Sequence, residues 1–201
     1  LLKRKYQKGR GVPAKTRAGD DDFYLRKMNE LIPDLVLFLD RPVVSQSIID
    51  AAPCPVLWID HHQPLERLGV KYYNPVVNTP GDNRPTSFWA YQVVKQDLWI
   101  ALVGIIGDWH WMPALNKKCA FKELLGKAKS APEALFDAEF GKLVKVFNYI
   151  TKGTSADARK HLAVLEKIES PYEILKQTSP KGKFLWKKFR QVNKEYDLLL
   201  E

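Results

Sequence analysis

Cysteine, long hydrophobic runs and a secretory leader are scarce or missing in this sequence, and each absence excludes a class of protein. Among 201 residues only Cys54 and Cys119 are cysteines, too few for a disulfide framework, so we expect a reducing compartment such as the cytoplasm. The longest apolar run, Leu98 to Gly107, has ten residues, about half of the ~20 that span a bilayer. Basic residues follow the first two leucines, the wrong order for a signal peptide. We therefore expect neither secretion nor a membrane partner.

Signatures of several common enzyme classes are missing as well. No glycine-rich phosphate loop and no Ser or Cys nucleophile arrangement is evident, and Cys54, Cys119 and His161 lack the spacing of a zinc site. Repeats and low-complexity tracts are also absent. What the sequence does contain, 45% hydrophobic and 27% charged residues, is typical of a globular protein with a buried core.

The net charge of +9 is distributed unevenly along the chain. Residues 1–17 hold seven basic and no acidic side chains, residues 18–116 hold seven basic and twelve acidic ones, and residues 117–201 hold eighteen basic and eleven acidic ones. An acidic middle between basic ends is typical of a metal-dependent enzyme that acts on a polyanion. In the C-terminal helices Lys and Glu interleave, so solvated helix faces are an equally good interpretation there.

Two short apolar runs that end in aspartate predict strands of a parallel sheet. Leu35–Leu39 ends at Asp40, and Pro55–Ile59 ends at Asp60 about twenty residues later. Continuous apolar runs of this length are typical of strands buried on both faces, and their spacing fits a βαβ crossover. A third short strand is expected at residues 71–73, followed by an exit turn at Asn74 and Pro75.

The remainder of the chain predicts helices. Thr86 or Ser87 is expected to cap a helix that runs to about Gln96, and residues 97–107 are expected to form a buried helix rather than a fourth strand. Beyond Pro113 the pattern changes to Lys- and Glu-rich amphipathic helices, near residues 120–129, 132–150, 155–168 and 183–200.

The change in composition near Pro113 divides residues 1–113, an α/β core, from residues 114–201. The second part is either a helical extension of the same domain or the start of a linker. The predicted fold class is α/β, with a parallel, Rossmann-like sheet followed by amphipathic helices. Residues 7–18, rich in Gly, Pro and basic side chains, are expected to form a loop. Residues 1–6 have the pattern of the last turn of a helix, and the predicted C-terminal helix stops at Glu201 without a terminating Gly, Asn or Pro, so we expect a piece of a longer protein.

The residues that point to chemistry follow the two predicted strands. Because ligands of open parallel sheets bind at the carboxyl ends of the strands, we expect Asp40 and Asp60 to lie at one edge. Asp60 is followed directly by His61 and His62, and this mixture of carboxylate and imidazole donors suits Mn²⁺ or Fe²⁺. Asp108 ends the apolar segment, where an unpaired carboxylate is costly and a divalent cation is the simplest partner.

Each of these features has an ordinary alternative. An aspartate at a strand end often caps a helix, as Asp40 could. A His-His pair is more often exposed or packed in a core than bound to metal, and Asp108 could pair with an arginine. Three such features at matching positions nevertheless favour a metal site.

In this order the motifs resemble the DHH phosphoesterase superfamily. The resemblance lies in Leu35–Asp40, in Val56–His62 with its Asp-His-His triplet, and in Gly104–Asp108, and it covers roughly residues 31–113. Members of this superfamily include RecJ-like exonucleases, short-oligonucleotide RNases with phosphatase activity, cyclic-dinucleotide phosphodiesterases, exopolyphosphatases and one class of inorganic pyrophosphatase.

The resemblance implies a role for each matched residue. Asp40 would bridge two metal ions, Mn²⁺ or Mg²⁺, and His61 and Asp108 would ligate one of them. His62 would face the substrate phosphate as a catalytic residue, and Asp60 would support the histidines. Two-metal hydrolysis would then use a bridging water for in-line attack on phosphorus.

Further candidates come from position alone. Arg41, beside the first aspartate, and Arg84, in a polar loop, could contact phosphate or simply be solvated. His110 could join the site or line the wall of its pocket. Trp109 and Trp111 could stack nucleic-acid bases.

The sequence departs from the family pattern in three ways. An earlier His-x-x-x-Asp-x-Asp motif, which supplies the rest of the dinuclear site, is missing because no histidine precedes His61. The triplet Asp20–Asp22 lacks that histidine and is interpreted as the start of a helix. Trp109 stands where the family usually has threonine, and the glycine-rich motif of a substrate domain is not seen. We therefore expect the chain by itself to bind at most one divalent ion well and to show little or no turnover.

The sequence thus predicts a metal-dependent phosphoesterase acting on single-stranded DNA, RNA oligonucleotides or nucleotides. Overall basicity and accessible tryptophans favour nucleic acid over pyrophosphate. A phosphatase of small nucleotides or polyphosphate is one alternative. A non-catalytic DHH-like module that binds nucleic acid or a replication partner is another.

Overall fold

The computed structural model describes residues 1–6, 8–12 and 21–198, and the chain divides into two compact units. Lys15–Trp89 form one, called the sheet unit, and Leu1–Ala14 with Ala90–Glu201 form the other, called the helical unit. The strands are β1 (Val36–Leu39), β2 (Val56–Ile59) and β3 (Val70–Tyr73). The α-helices are α1 (Leu2–Lys5), α2 (Asp21–Leu31), α3 (Gln46–Asp50), α4 (Pro75–Asn78), α5 (Thr86–Val94), α6 (Leu98–Gly107), α7 (Pro113–Lys118), α8 (Ala131–Phe136), α9 (Glu139–Tyr149), α10 (Ser155–Leu165), α11 (Pro171–Leu175) and α12 (Pro180–Asp197).

The strands of the sheet unit form a parallel sheet in the order β1-β2-β3 within the described residues. Leu39 pairs with Ile59, and Ile59 pairs in turn with Tyr73, so the three strands end level with one another. Helix α3 lies between β1 and β2 along the chain. The predicted α/β class, the βαβ order and the third strand are therefore confirmed.

The core of the sheet unit packs helices α2 and α3 against the sheet. Its centre is Trp58, which is fully buried and stacks on Tyr72 with ring centroids 4.2 Å apart. The Trp58 indole N–H also donates to the backbone oxygen of Arg41 at 2.9 Å, which ties down the chain after β1. The buried hydrophobic residues of this core are Tyr24, Met28, Phe38, Val44, Ile48, Ile49, Val56 and Trp58.

Strand β1 is less buried than its apolar sequence predicts. Leu35 and Leu39 are 53% and 37% exposed. Among the described residues β1 pairs with β2 on one side only, whereas β2 has a neighbour on each side. The expectation of a strand buried on both faces was therefore wrong for β1, because an edge strand has fewer neighbours to cover its side chains.

Helix α5 begins at Thr86, whereas an N-cap at Thr86 would make Ser87 the first helical residue. The backbone N–H groups of Phe88 and Trp89 both donate to the oxygen of Pro85, so Pro85 occupies the cap position. Thr86 is then the first helical residue, and the expected Thr86 or Ser87 cap was wrong.

The helical unit is built around α6, whose predicted helical state is confirmed. Six of its ten residues are buried, among them Leu102, Ile105 and Ile106. It packs against α7, α8 and α9. The compositional boundary near Pro113 therefore lies inside the helical unit.

Two of the predicted amphipathic helices differ in extent. The helix expected over 132–150 splits into α8 and α9, because Ala138 between them is extended (φ −110°, ψ 155°). Gly141 lies so close to the Leu135 carbonyl that a Cβ there would overlap it. The helix expected over 120–129 is only a short 3₁₀ helix, Lys122–Leu125, which ends at Gly126 with φ 58°.

The last helices agree better with the sequence pattern. Helices α10 and α12 confirm the predictions for 155–168 and 183–200, although Leu199 and Leu200 lie outside the described residues. Gln7, Asp20 and residues 13–18 of the predicted loop also lie outside them. Helix α11 was not predicted, although Ser170 and Glu173 form a capping box at its start. None of the described helices is both long and apolar enough to cross a bilayer.

Candidate metal site

The aspartates that follow β1 and β2 lie at the same edge of the sheet. The backbone N–H of Asp40 donates to the oxygen of Ile59 at 3.0 Å, and that of Asp60 donates to the oxygen of Tyr73 at 3.1 Å. Each residue therefore continues the parallel hydrogen bonding one step beyond its strand. Asp40 then turns the chain with φ 56°, a left-handed conformation that aspartate tolerates better than most side chains.

Asp60 is completely buried and holds His62 through two hydrogen bonds. Its Oδ2 accepts the backbone N–H of His62 at 3.0 Å, and its Oδ1 lies 2.8 Å from the His62 Nδ1. A carboxylate can only accept at these distances, so His62 carries its proton on Nδ1 and the ring lone pair lies on Nε2. Asp60 thus sets both the position and the tautomer of His62, the supporting role that carboxylates have behind metal-site histidines.

His61 has the same tautomer, but a backbone group holds it. Its Nδ1 lies 3.2 Å from the backbone oxygen of Asn83, which can only accept, so Nδ1 donates. The lone pair of the neutral ring is then on Nε2, and Nε2 lies 3.3 Å from Oδ1 of Asp40. Two electron-rich atoms therefore face each other, an arrangement that needs a cation or a second proton on the ring.

Asp40, His61 and His62 together form a cluster of three ligand-bearing side chains. One ligand atom of each lies within 4.8 Å of the other two, and the two imidazole rings have centroids 4.7 Å apart. When two ligand atoms each lie about 2.1 Å from the same ion, and the angle between them at the ion is roughly 90°, the two atoms are about 3 Å apart. The observed 3.3 Å between His61 and Asp40 suits a shared divalent cation. Asp40 and His62 are exposed, so the cluster is open to solvent.

Asn74 ties the loop that contains the histidines to the end of β3. It is 1% exposed, and its Nδ2 donates to the backbone oxygen of His62 and to Oη of Tyr72, both at 2.8 Å. Its Oδ1 accepts the N–H of Val76 and so caps α4. The sequence predicted only an exit turn here, although Asn followed by Pro after a strand is a recognisable capping signal.

The two arginines that were candidate phosphate contacts lie in different surroundings. The guanidinium of Arg41 lies 5.1 Å from the ring of Tyr24, and its buried Nε and Nη1 have no hydrogen-bond partner among the described residues. Arg84 makes a bidentate pair with Asp82, with distances of 2.8 and 2.5 Å, and this hydrogen bonding raises its pKa further. Arg84 therefore already has an anionic partner, and its contact with a phosphate stays a prediction.

Asp108 and His110 belong to the helical unit, at the carboxyl end of α6. The N–H of His110 donates to the oxygen of Ile105 at 2.9 Å, and its Nδ1 donates to the oxygen of Asp108 at 2.8 Å. Trp109 between them has φ 62° and is 61% exposed. This is a Schellman-type end with tryptophan at the position that usually holds glycine. A part for Asp108 and His110 in the metal site stays a prediction.

The order of Asp40, the Asp-His-His triplet and Asp108 is what resembles the DHH superfamily. No protein-family model matches this sequence, and no curated protein matches it either. The chemistry available to the chain follows from the side chains themselves. They place one carboxylate and two imidazoles, with both tautomers set by hydrogen bonds, at one solvent-exposed edge of a parallel sheet.

Proposed function

We propose that this chain is the metal-binding part of a divalent-metal-dependent phosphoesterase that acts on single-stranded or short nucleic acids. The observation that supports it most directly is the cluster of Asp40, His61 and His62, in which Nε2 of His61 lies 3.3 Å from Oδ1 of Asp40. In the same proposal the three-stranded sheet belongs to a Rossmann-like DHH domain. The family itself is proposed on the motifs alone.

Each residue of the cluster has a task in this proposal. Asp40 and His61 hold the ion, Mn²⁺ or Mg²⁺, and His62 lies beside them, where its Nε2 can reach the ion or a phosphate oxygen. The ion, when bound, would polarise the phosphoryl group and make water a better nucleophile. Asp60 keeps the Nδ1 proton of His62 in place, and Asn74 keeps the backbone of His62 in place. Both act as positioning residues.

The charge of the chain supports a polyanionic substrate. Residues 1–14 and 90–201 hold 24 Lys and Arg against 13 Asp and Glu, whereas residues 15–89 hold 8 against 10. The unit with the cluster thus has a net charge of −2, whereas the helical unit has a net charge of +11. The exposed Trp109 adds an aromatic face on which a base can stack.

Metal binding to the purified chain is the first test. Titration calorimetry with Mn²⁺ should give one site, and Asp40→Asn should weaken it at least tenfold. Asp34→Asn, the loss of another exposed carboxylate of the sheet unit, is the matched control and should leave affinity unchanged. Equal affinities of the two variants, or no binding of Mn²⁺, Mg²⁺ or Zn²⁺ by the wild-type chain, would overturn the proposed site.

Hydrolysis is the second test, with Mn²⁺ and three substrates: labelled single-stranded DNA, short RNA and adenosine bisphosphate. The described residues contain one cluster of three ligand-bearing side chains, whereas two-metal hydrolysis uses two ions. This observation favours, as the second candidate, a non-catalytic module that binds metal and nucleic acid or a replication partner. Metal binding without turnover on any of the substrates, by the chain or by a longer protein that contains it, would select that candidate.

A further inference from the structure

We propose that helix α12 forms a second nucleic-acid site, a groove that binds the phosphate backbone and bases of a single strand. The groove has a volume of about 590 Å³ and lies along α12. Four of its lining residues are the exposed cations Lys183, Lys187, Arg190 and Lys194. At 100° and 1.5 Å per residue they lie within about 60° of one another around the helix and extend over about 16 Å. They form a single basic stripe, called here the α12 stripe.

The cations of the α12 stripe are available to a ligand. Within residues 1–6, 8–12 and 21–198, none of the four forms an ion pair or a side-chain hydrogen bond. Lys181 on the same helix behaves differently, because it lies 3.6 Å from Glu173. The acid that lines the described groove is Asp197, and it accepts a hydrogen bond from Asn193 at 2.7 Å. The stripe therefore keeps most of its positive charge uncompensated.

Aromatic side chains form the other part of the groove. Trp186 is half-buried, and its ring lies 4.7 Å from that of Phe189, which in turn stacks on the half-buried Tyr149 of α9. Trp186 thus packs against Phe189 and still lines the groove. A positive groove with a fixed aromatic side chain is the combination that single-strand-binding proteins use, since phosphates pair with the cations and bases stack on the ring.

A single strand fits these observations better than a lipid surface or an acidic protein. A bilayer is flat, whereas the aromatic side chain here is recessed in a groove. An acidic protein would be matched by the charges but would have no need of an indole beside the basic stripe. The α12 stripe does not depend on the metal cluster, so this inference goes beyond the proposed function and can be tested without metal.

The number of cations predicts the salt dependence. Four phosphate contacts should give a slope of about −2.8 for log K against log[salt], since each contact to a single strand contributes about −0.7. Removing two of the cations should reduce the slope to about −1.4 and lower affinity about 25-fold at 0.1 M salt. Loss of the Trp186 ring should lower affinity about tenfold without a change in slope, because stacking releases no counterions.

The experiment measures fluorescence anisotropy of a labelled 12-nucleotide oligo-dT with the full chain, in EDTA, from 50 to 400 mM NaCl. The variants are Lys183→Gln/Lys187→Gln and Trp186→Leu. Glutamine keeps the helix propensity of lysine, and leucine keeps apolar bulk against Phe189. The matched control is Lys181→Gln/Lys188→Gln, which removes the same charge from the same helix outside the groove. Circular dichroism shows whether each variant is folded.

The outcomes separate this inference from the proposed function. The double variant in the stripe should bind about 25-fold more weakly with the halved slope in EDTA, where no metal ion is bound, while the control binds like wild type. Equal losses in stripe and control variants would overturn the proposal, because net charge alone would then explain binding. Equal affinity for a DNA duplex, or binding only to phosphatidylserine-containing vesicles, would also overturn it.

Discussion

Replacing Asp60 by asparagine should move the ring proton of His62 from Nδ1 to Nε2. In the wild-type chain one carboxylate oxygen accepts the backbone N–H of His62 and the other accepts Nδ1–H. Asparagine has a single oxygen, and the backbone N–H, which can only donate, requires it. The amide NH₂ then faces Nδ1, so Nδ1 must become the acceptor and the proton must lie on Nε2. The variant keeps the shape of the site, moves the lone pair of the ring to Nδ1 and removes one negative charge.

Asp60→Asn replaces the hydrogen bond from the His62 ring to a charged acceptor by one between neutral groups. A bond from the ring to a charged acceptor contributes about 1.5–3 kcal/mol, and one between neutral groups about 1 kcal/mol. A Nε2 that carries a proton has no lone pair for a metal ion. Loss of a carboxylate behind a metal-site histidine lowers metal affinity about 10–100-fold, and we expect Mn²⁺ affinity of Asp60→Asn to fall within that range.

Two measurements check this prediction. Long-range ¹⁵N–¹H correlation spectra distinguish the two tautomers, and the chain has only four histidines, so His62 can be assigned with a His62→Gln variant. Titration calorimetry gives the Mn²⁺ affinity, with Asp34→Asn as the control for the loss of one negative charge. A variant whose His62 still carries its proton on Nδ1, or one that binds Mn²⁺ within twofold of wild type, would refute the reasoning.

Three further predictions concern stability. Asn74→Ala should lower the free energy of unfolding by about 2 kcal/mol in urea titrations, because a buried cap and two side-chain donations are lost together. Gly182→Ala should lower it by about 3 kcal/mol, since the new Cβ would overlap the backbone carbonyl of Glu173. Asp21→Asn should be less stable than wild type near pH 7, with a difference that disappears as pH falls, because hydrogen bonds from two serine hydroxyls lower the pKa of Asp21 below its ordinary value of 3.8.

Each stability prediction has a control variant or an outcome that would contradict it. Asn74→Asp keeps the acceptor of the cap and should recover part of the lost stability. A free energy of unfolding of Asn74→Ala within about 0.5 kcal/mol of wild type, half of a typical hydrogen bond, would contradict the role given to Asn74. Gln191→Ala, exposed on the same helix as Gly182, should be nearly neutral. For Asp21 the carboxylate adds stability only while it is ionised, so an equal loss at pH 7 and at about pH 3 would contradict the pKa argument.

The contiguous parts of the site could be predicted from the sequence. Apolar runs that end in Asp40 and Asp60 predicted parallel strands with both aspartates at one edge, and the structure places them there. The adjacency of Asp60, His61 and His62 made a donor cluster visible without coordinates. These predictions succeeded because strand periodicity and the common edge of parallel strands depend on local sequence and on topology alone.

Residues that act across the fold could not be predicted in this way. The oxygen of Asn83 sets the tautomer of His61 from 22 residues away, and Asn74 holds His62 from 12 residues away. The sequence left Arg84 either as a phosphate contact or as a solvated side chain, and only the side-chain geometry shows that it pairs with Asp82, two residues earlier in the chain. The break between α8 and α9 depends on a close approach at Gly141, which no periodicity shows.

By itself, the sequence determined the three strands and the longest helices, the carboxylate and imidazole chemistry at the strand ends, and the excess of lysine in the helical part. Only the tertiary structure decided which ring nitrogens hold protons, which arginine is already paired, and that four cations of α12 lie beside a tryptophan in one groove. The reason is physical. Hydrophobic periodicity can be seen in the order of residues, whereas a tautomer or an ion pair depends on distances and angles between side-chain atoms, even when the two residues are only two positions apart, as His62 and Asp60 are.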